Sequence, residues 1–420
     1  MDFIYYFSVL IILATVFSYL NDRFLKLPST IGIMVITMIF SVILVTVGRI
    51  NARPISEVYE IINQIDFSKV LLGGMLYFLL FAGAIQIDIK DLREQKMPVI
   101  VFSTVSVIIS TIVVGFVLYY ALIWLLPVFG IHMEVSLIYC FLFGALISPT
   151  DPIAVLSILK QAKVNKSLET KITGESLFND GVSIIAFTVI YNIARGTERL
   201  QDITVSEISW LLAKEVIGAV LVGLILGYIG FTAMKHTEDY KLSVLISLSV
   251  VIGGYMISQA MEISGPLTMV SAGILIGNAN KRYSERKHIT NDFLKTFWEL
   301  IDEILNAVLF LLIGFELLLI HNLDAYWIPG IICIVVVLFA RYVSIKIPTW
   351  IIPFKEKFSH GAIVILVWGG LRGGVSIALA LSIGDTTFRD PIVAVTYFVV
   401  VFSIIVQGLS IGRIAKRIKC

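Results

Sequence analysis

Charge is scarce in this chain. Asp, Glu, Lys and Arg make up 15% of its 420 residues, against about 25% in soluble domains, so a solvated globular surface does not fit. Cysteine is nearly absent. Cys140, Cys333 and Cys420 form no CxxC pair, which argues against a disulfide framework or a thiolate metal cluster. There is no GxxxxGK[ST] phosphate loop, so a pump driven by ATP within the chain is not expected, nor is a bound cofactor. No run of like charges offers a nucleic-acid surface, and the net charge of +2 names no partner. The apolar segment beginning at Phe3 has no basic stretch before it and no small-residue cleavage site after it, so it reads as a retained helix.

What is there is apolar: 58% of the residues are hydrophobic. Thirteen segments are candidates for crossing a lipid bilayer, at about 3–20, 29–48, 68–87, 99–126, 135–159, 170–194, 208–234, 241–260, 264–279, 300–320, 326–352, 360–384 and 391–411. A helix of about 20 apolar residues crosses about 30 Å of hydrocarbon. Most of these segments reach that length. Lys and Arg concentrate on the cytoplasmic side of spanning helices. Of the 32 here, 23 follow odd-numbered segments, 7 lie on the opposite side, and Arg341 and Arg372 sit inside apolar segments. This split places the N-terminus outside and the C-terminus in the cytoplasm, in a plasma (inner) membrane surrounded by lipid. The stretch 280–299 is expected as an amphipathic helix on the inner surface, with Phe293, Phe297 and Trp298 opposed to Lys287, Lys295 and Glu299. Gly223 and Gly227 form a GxxxG that permits close helix approach, with a dimer face as one use.

A repeat is visible. The fifth segment carries Pro149 and Pro152 about its middle, and the twelfth carries Gly369-Gly370-Leu371-Arg372-Gly373-Gly374. Interrupted segments in corresponding halves point to a transporter with its site at the midplane. An offset of seven segments is odd, so a repeat of six helices plus one linking helix has inverted topology. The expected fold is an all-α polytopic membrane protein with 13 helices and two broken crossing helices, the fifth and twelfth, making one membrane domain over residues 1–420.

The acids sit where they cost most. Ser148-Pro149-Thr150-Asp151-Pro152 lies in the fifth segment and Gly174-Glu175-Ser176-Leu177-Phe178-Asn179-Asp180-Gly181 in the sixth. A charged side chain at the bilayer centre costs about 2.5 to 3.5 kcal/mol on insertion scales, and such residues mark ion or proton paths. A proline break alone needs no charge, so Asp151 between two prolines points beyond a simple kink. Glu175 and Asn179, like Ser176 and Asp180, are spaced i,i+4 and share one half of their helix. A hard cation such as Na⁺ takes carboxylate, hydroxyl and carbonyl oxygens. Asp151, Asp180, Ser176 and the Thr150 carbonyl supply that set. Two neighbouring buried carboxylates cannot both stay ionised without a counter-charge, so a cation and a proton compete for them. Arg341 and Arg372 need buried partners. Glu175 is the acid assigned to Arg341, with Arg372 as the second choice; Arg372 has an alternative use in offsetting helix dipole ends.

At these residues the chain resembles the monovalent cation:proton antiporter-1 family, the NhaP-like relatives of animal sodium/proton exchangers. Gly265-Pro266-Leu267, Gly277-Asn278 and Trp368 through Gly373 support the resemblance, which covers nearly the whole chain. It implies thirteen helices and a homodimer. It implies a core domain, at about 68–194 and 300–415, carrying one site past a dimer domain made by the remaining helices. It implies that Asn179-Asp180 is the Asn-Asp pair of electroneutral members, and that Arg341 pairs with Glu175. The third segment departs from the family pattern: Phe81 is followed by Ala82 where many members have an acid. The expected activity is exchange of Na⁺ or Li⁺ for H⁺, with K⁺ as the alternative cargo. Two other classes share the paired aspartates or the buried polar path. An intramembrane aspartyl protease would carry Gly-x-Gly-Asp where Phe178-Asn179 precede Asp180, and a cation channel would pass current.

Overall fold

A backbone surrounded by hydrocarbon must satisfy its own N–H and C=O groups, and an α-helix does so within one segment. The computed structural model describes residues 3–48, 62, 65–131, 134–152, 155–156, 158–159, 164–196, 205–237, 239–284, 289–320, 323–355, 358–384 and 386–418; among these every regular element is helical. In chain order the α-helices are α1 (Phe3–Leu20), α2 (Ser29–Gly48), α3 (Phe67–Ile85), α4 (Ile89–Glu94), α5 (Lys96–Ser103), α6 (Val105–Leu125) and α7 (Leu137–Ile147). Then come α8 (Lys166–Ala194), α9 (Val205–Lys235), α10 (Tyr240–Met261), α11 (Gly265–Ser284), α12 (Ile289–Leu319) and α13 (Trp327–Ile351). The last are α14 (His360–Trp368), α15 (Gly374–Leu381), α16 (Arg389–Phe402) and α17 (Gly408–Ile418). A π turn at Leu71–Met75 lies within α3, and another at Ser403–Gln407 joins α16 to α17. Helix occupies most of the described part of each expected range, with breaks at 148–152 and 369–373. Among the described residues, nine helices are long and apolar enough to cross a membrane by length and composition. Of the expected features, Arg49, Arg53, Lys160, Lys163, Arg199, Arg286, Lys287, Lys357, Lys419, His132, His321 and Cys420 lie outside the described residues.

The chain forms two units. The first comprises Met1–Gly73, Ile108–Asn165 and Leu305–Cys420, the second Gly74–Val107 and Lys166–Ile304. In the first unit, small residues let helices meet at backbone distance. A Cβ at Gly144 of α7 would lie 2.7 Å from the Thr111 carbonyl oxygen of α6. Ser41 donates to the Gly314 carbonyl at 3.1 Å, tying α2 to α12. α2 buries Ile31, Ile33 and Met34 and leaves Ile39, Val42 and Ile43 exposed. An exposed aliphatic face of this kind is what a lipid-facing helix presents.

In the second unit α11 is the central strut. Gly223 and Gly227 of α9 face it: a Cβ at Gly223 would collide with the Thr268 carbonyl, and one at Gly227 would lie 3.1 Å from Ala272 Cα. The GxxxG therefore serves contact within the chain and not the dimer face offered as one use, because α11 already fills the groove it opens. On α11's other side Gly273 and Gly277 admit α3. Asn278 accepts from Ile89 N at 2.7 Å and donates to the Ile87 and Ile274 carbonyls at 2.8 Å each, holding the turn after α3. The amphipathic surface helix expected at 280–299 is corrected: residues from Ile289 onward are the first turns of α12. Trp298 is fully buried, packs against Phe81 with ring centroids 4.6 Å apart and planes tilted by 56°, and donates to Ser247 at 3.0 Å. Its indole found a core with a polar partner, and that outweighs an interfacial position.

Gly277→Ala is expected to destabilise the fold, since the new methyl would run into the Ile85 carbonyl oxygen; overpacking of this kind costs about 1–3 kcal/mol. Gly253→Ala in α10 meets nothing within 4 Å and gains up to about 1 kcal/mol of helix propensity. Thermal unfolding in detergent checks the pair: a lower midpoint for the first and an unchanged or higher one for the second.

Candidate functional site

Proline and glycine break two helices of the first unit at one place. α7 stops at Ile147, and Ser148 through Pro152 are not helical; Leu156 N–H then donates to the Pro152 carbonyl at 2.7 Å as helix resumes. α14 stops at Trp368, and α15 begins at Gly374 after the glycine-rich bridge. The two breaks touch. Asp151 N–H donates to the Leu371 carbonyl at 2.7 Å. A Cβ at Gly373 would lie 2.8 Å from Asp151 Cβ and 2.9 Å from its Oδ2, so only glycine lets the Asp151 carboxylate lie against the N-cap residue of α15. A helix N-terminus presents free N–H groups and a partial positive charge to an anion placed there.

The two arginines serve the opposite ends. A helix C-terminus carries unsatisfied carbonyls and a partial negative charge, which a nearby cation stabilises. Arg372 Nη1 donates to the carbonyls of Ser148 and, at 3.1 Å, Pro149, just past the end of α7. Arg341 of α13 donates through Nη2 to the Leu366 carbonyl at 2.9 Å, in the last turn of α14. A Cβ at Gly370 would lie 2.6 Å from Arg341 Nε, so the guanidinium also lies flat against the bridge. Both arginines are buried. They line a cavity of about 10 Å³ with Gly370 and Gln407.

In the second unit, one stretch of α8 carries Glu175, Ser176, Asn179, Asp180 and Ser183, all buried; Asp180 is 8% exposed and Glu175 1%. Glycines at both ends of the stretch bring α8 close to its neighbours. A Cβ at Gly174 would lie 2.7 Å from Val99 of α5, and one at Gly181 2.7 Å from Leu267 of α11. Lys171 is buried at 7% exposure one helical turn before Glu175.

The first unit thus brings together Thr150, Asp151 and Arg372, with Arg341 of α13 bonded to the end of α14. The second brings together Glu175, Ser176, Asn179 and Asp180. Sequence reasoning gives Gln407 a packing or cavity-lining role and misses Ser403. They are buried and bonded to the bridge, and their signal was two polar residues spaced i,i+4 in an otherwise apolar segment.

The chain is matched by the family model for the transmembrane region of sodium/hydrogen exchangers over residues 10–417. It is 44% identical to the Na(+)/H(+) antiporter NhaP of Pseudomonas aeruginosa, over 98% of this chain and 96% of that protein. The Na(+)/H(+) antiporter NhaH of Halobacillus dabanensis is 31% identical, over 94% of this chain and 93% of its own length. The solved structure of the sodium proton antiporter MjNhaP1 from Methanocaldococcus jannaschii at pH 8 has the same fold, with a TM-score of 0.75 at 20% identity, covering 98% of this chain and 97% of that one. Broken helices, buried carboxylates and a family match over almost the full length make this multi-pass membrane protein a member of the sodium/hydrogen exchanger family.

Proposed function

We propose that this chain is a secondary antiporter exchanging Na⁺ or Li⁺ for H⁺ across the membrane, without net charge movement. The observation that carries this is the burial of Asp180 on α8, one turn after Ser176, in a member of a family whose relatives bear the name Na(+)/H(+) antiporter. A carboxylate held out of water in a membrane protein has two ways to be neutral, a proton or a metal cation, and it cannot take both at once. In this reading Asp151 and Asp180 are the competing carboxylates, with the Thr150 carbonyl and Ser176 hydroxyl as neutral ligands. Oxygen donors of this kind suit a hard cation. Asn179 is the neutral member of the Asn-Asp pair, and the Glu175 carboxylate pairs with Arg341. Arg372 supports the break at Ser148 and Pro149.

The reading includes a homodimer in the plasma (inner) membrane, N-terminus outside and C-terminus in the cytoplasm. A core of helices at about 68–194 and 300–415 moves past a dimer domain made by the rest. The lack of net current follows from one cation exchanged for one proton.

Proteoliposomes test it. With an imposed Na⁺ or Li⁺ gradient, internal pH is expected to change at a rate that the membrane potential does not alter. A response to K⁺ alone would reassign the cargo, a current would indicate a channel, and cleavage of a helical substrate with no ion flux would indicate a protease.

A further inference from the structure

We propose that Ser403 and Gln407, on the π turn between α16 and α17, are positioning residues for cation binding at Asp151. The inference rests on the reading of Asp151 as a cation ligand.

After Gly369, whose N–H still donates to the Ile365 carbonyl at 2.7 Å, the bridge through Gly373 lies outside any helix and gives up the hydrogen bonds a continuous helix would make. The π turn replaces them at both ends. Arg372 N–H donates to Ser403 Oγ at 2.9 Å, and Ser403 Oγ donates to Gln407 Oε1 at 2.7 Å. Gln407 Nε2 donates to the Trp368 carbonyl at 3.2 Å, the carbonyl that closes α14. One serine and one amide thus hold the acceptor at the start of the bridge and the donor near its end. Every polar atom of the two side chains that can bond is used, which fixes the orientation of the amide. Both residues are buried, at 1% and 3% exposure, where a loose polar contact would be costly.

From there the connection to Asp151 is one residue long. Leu371, between the two held ends, accepts from Asp151 N–H at 2.7 Å, and Gly373 lies against the Asp151 carboxylate. The bridge is thus the surface on which Asp151 rests, and the π turn is what keeps the bridge still. Packing alone does not explain the pair. Two polar residues four apart in an apolar helix can satisfy one another or the preceding carbonyls, whereas these reach across to backbone groups of another helix at its break. The turn itself departs from α-helix, with Gly408 N–H donating to the Ser403 carbonyl five residues back, and such turns recur at functional sites.

The test compares Ser403→Ala and Gln407→Leu with Ser410→Ala in proteoliposomes. Ser410 accepts the Trp368 indole N–H at 2.8 Å and donates to the Val406 and Gln407 carbonyls of its own helix, so among the described residues none of its hydrogen bonds goes to a backbone group of the bridge. The first two variants are expected to raise the half-saturating Na⁺ concentration about tenfold. Their maximal rate should stay within about twofold, because a displaced ligand weakens cation binding before it slows the cycle, and Ser410→Ala should leave both parameters unchanged. The same shift should appear in the Na⁺ concentration that raises the thermal unfolding midpoint in detergent, a reading of binding that needs no transport. Half-saturation unchanged in Ser403→Ala, or a fall in maximal rate alone, overturns the proposal. Should Gln407→Leu fail to fold, Ser403→Ala, which removes a single oxygen, decides it. Asp151→Asn separates this from the underlying reading. If that variant exchanges normally, Asp151 is not a ligand and the reading itself fails. If it is inactive while Ser403→Ala binds Na⁺ normally, only the positioning role fails.

Discussion

Asp180→Asn is expected to abolish sodium-dependent proton flux in proteoliposomes, down to that of vesicles without protein. The substitution changes no volume. Asn accepts and donates hydrogen bonds where the carboxylate accepts only, but it carries no charge to balance Na⁺ and has no site for a transported proton. Asp180 is buried on a helix held at Gly174 and Gly181 by close contacts with α5 and α11, so the backbone around it has no reason to move. The variant should accumulate in the membrane and unfold near the unaltered protein's midpoint. It should lose the stabilisation that Na⁺ confers on the native state, a gain that grows as the logarithm of ligand over dissociation constant. Asp180→Glu keeps the charge on a longer stem and should retain part of the flux. Full exchange by Asp180→Asn would remove the carboxylate competition from the account altogether. Loss of flux with Na⁺ stabilisation intact would assign Asp180 to the proton alone.

The apolar segments and the two breaks were legible because each has a local cause. Twenty apolar residues need a helix in lipid, Pro149 and Pro152 lack donors, and the glycines around Arg372 leave no side chains to pack. The burial of Glu175, Ser176, Asn179 and Asp180 was legible too, since their spacing puts them on one half of a helix. What stayed hidden depends on contacts distant in sequence. Nothing near Gly223 says that its partner is Thr268, and nothing near Trp298 says that Ser247 waits for its indole. The acceptor of Arg341 at Leu366 is a backbone carbonyl, which every residue has, so no pattern of residue types announces it. Ser403 and Gln407 look like any pair of polar residues in a membrane helix until the break beside them is placed. Buried charges invite a search for opposite charges, and for these arginines the structure adds helix ends to the list.

Replacing Arg372 is the second large effect, and its sign separates a helix-end role from a simple charge count. Arg372→Met preserves most of the stem's volume and removes the guanidinium. The carbonyls of Ser148 and Pro149 then lose their donor in a buried site. Hydrogen bonds to a charged group contribute about 1.5–3 kcal/mol, and a buried acceptor left alone costs a further 1–3 kcal/mol. The expected result is an unfolding midpoint lower by many degrees and exchange reduced to background, since the break that carries Asp151 begins at those carbonyls. Arg372→Lys keeps the charge but replaces a planar fork with a point donor on a flexible stem, so it should recover much of the stability and less of the transport. Arg413→Ala, at an exposed position on α17, should change neither. If Arg372→Met were as stable as the unaltered protein, the negative end of α7 would need no cation, and the matched placement of Arg341 at the end of α14 would lose its electrostatic explanation as well.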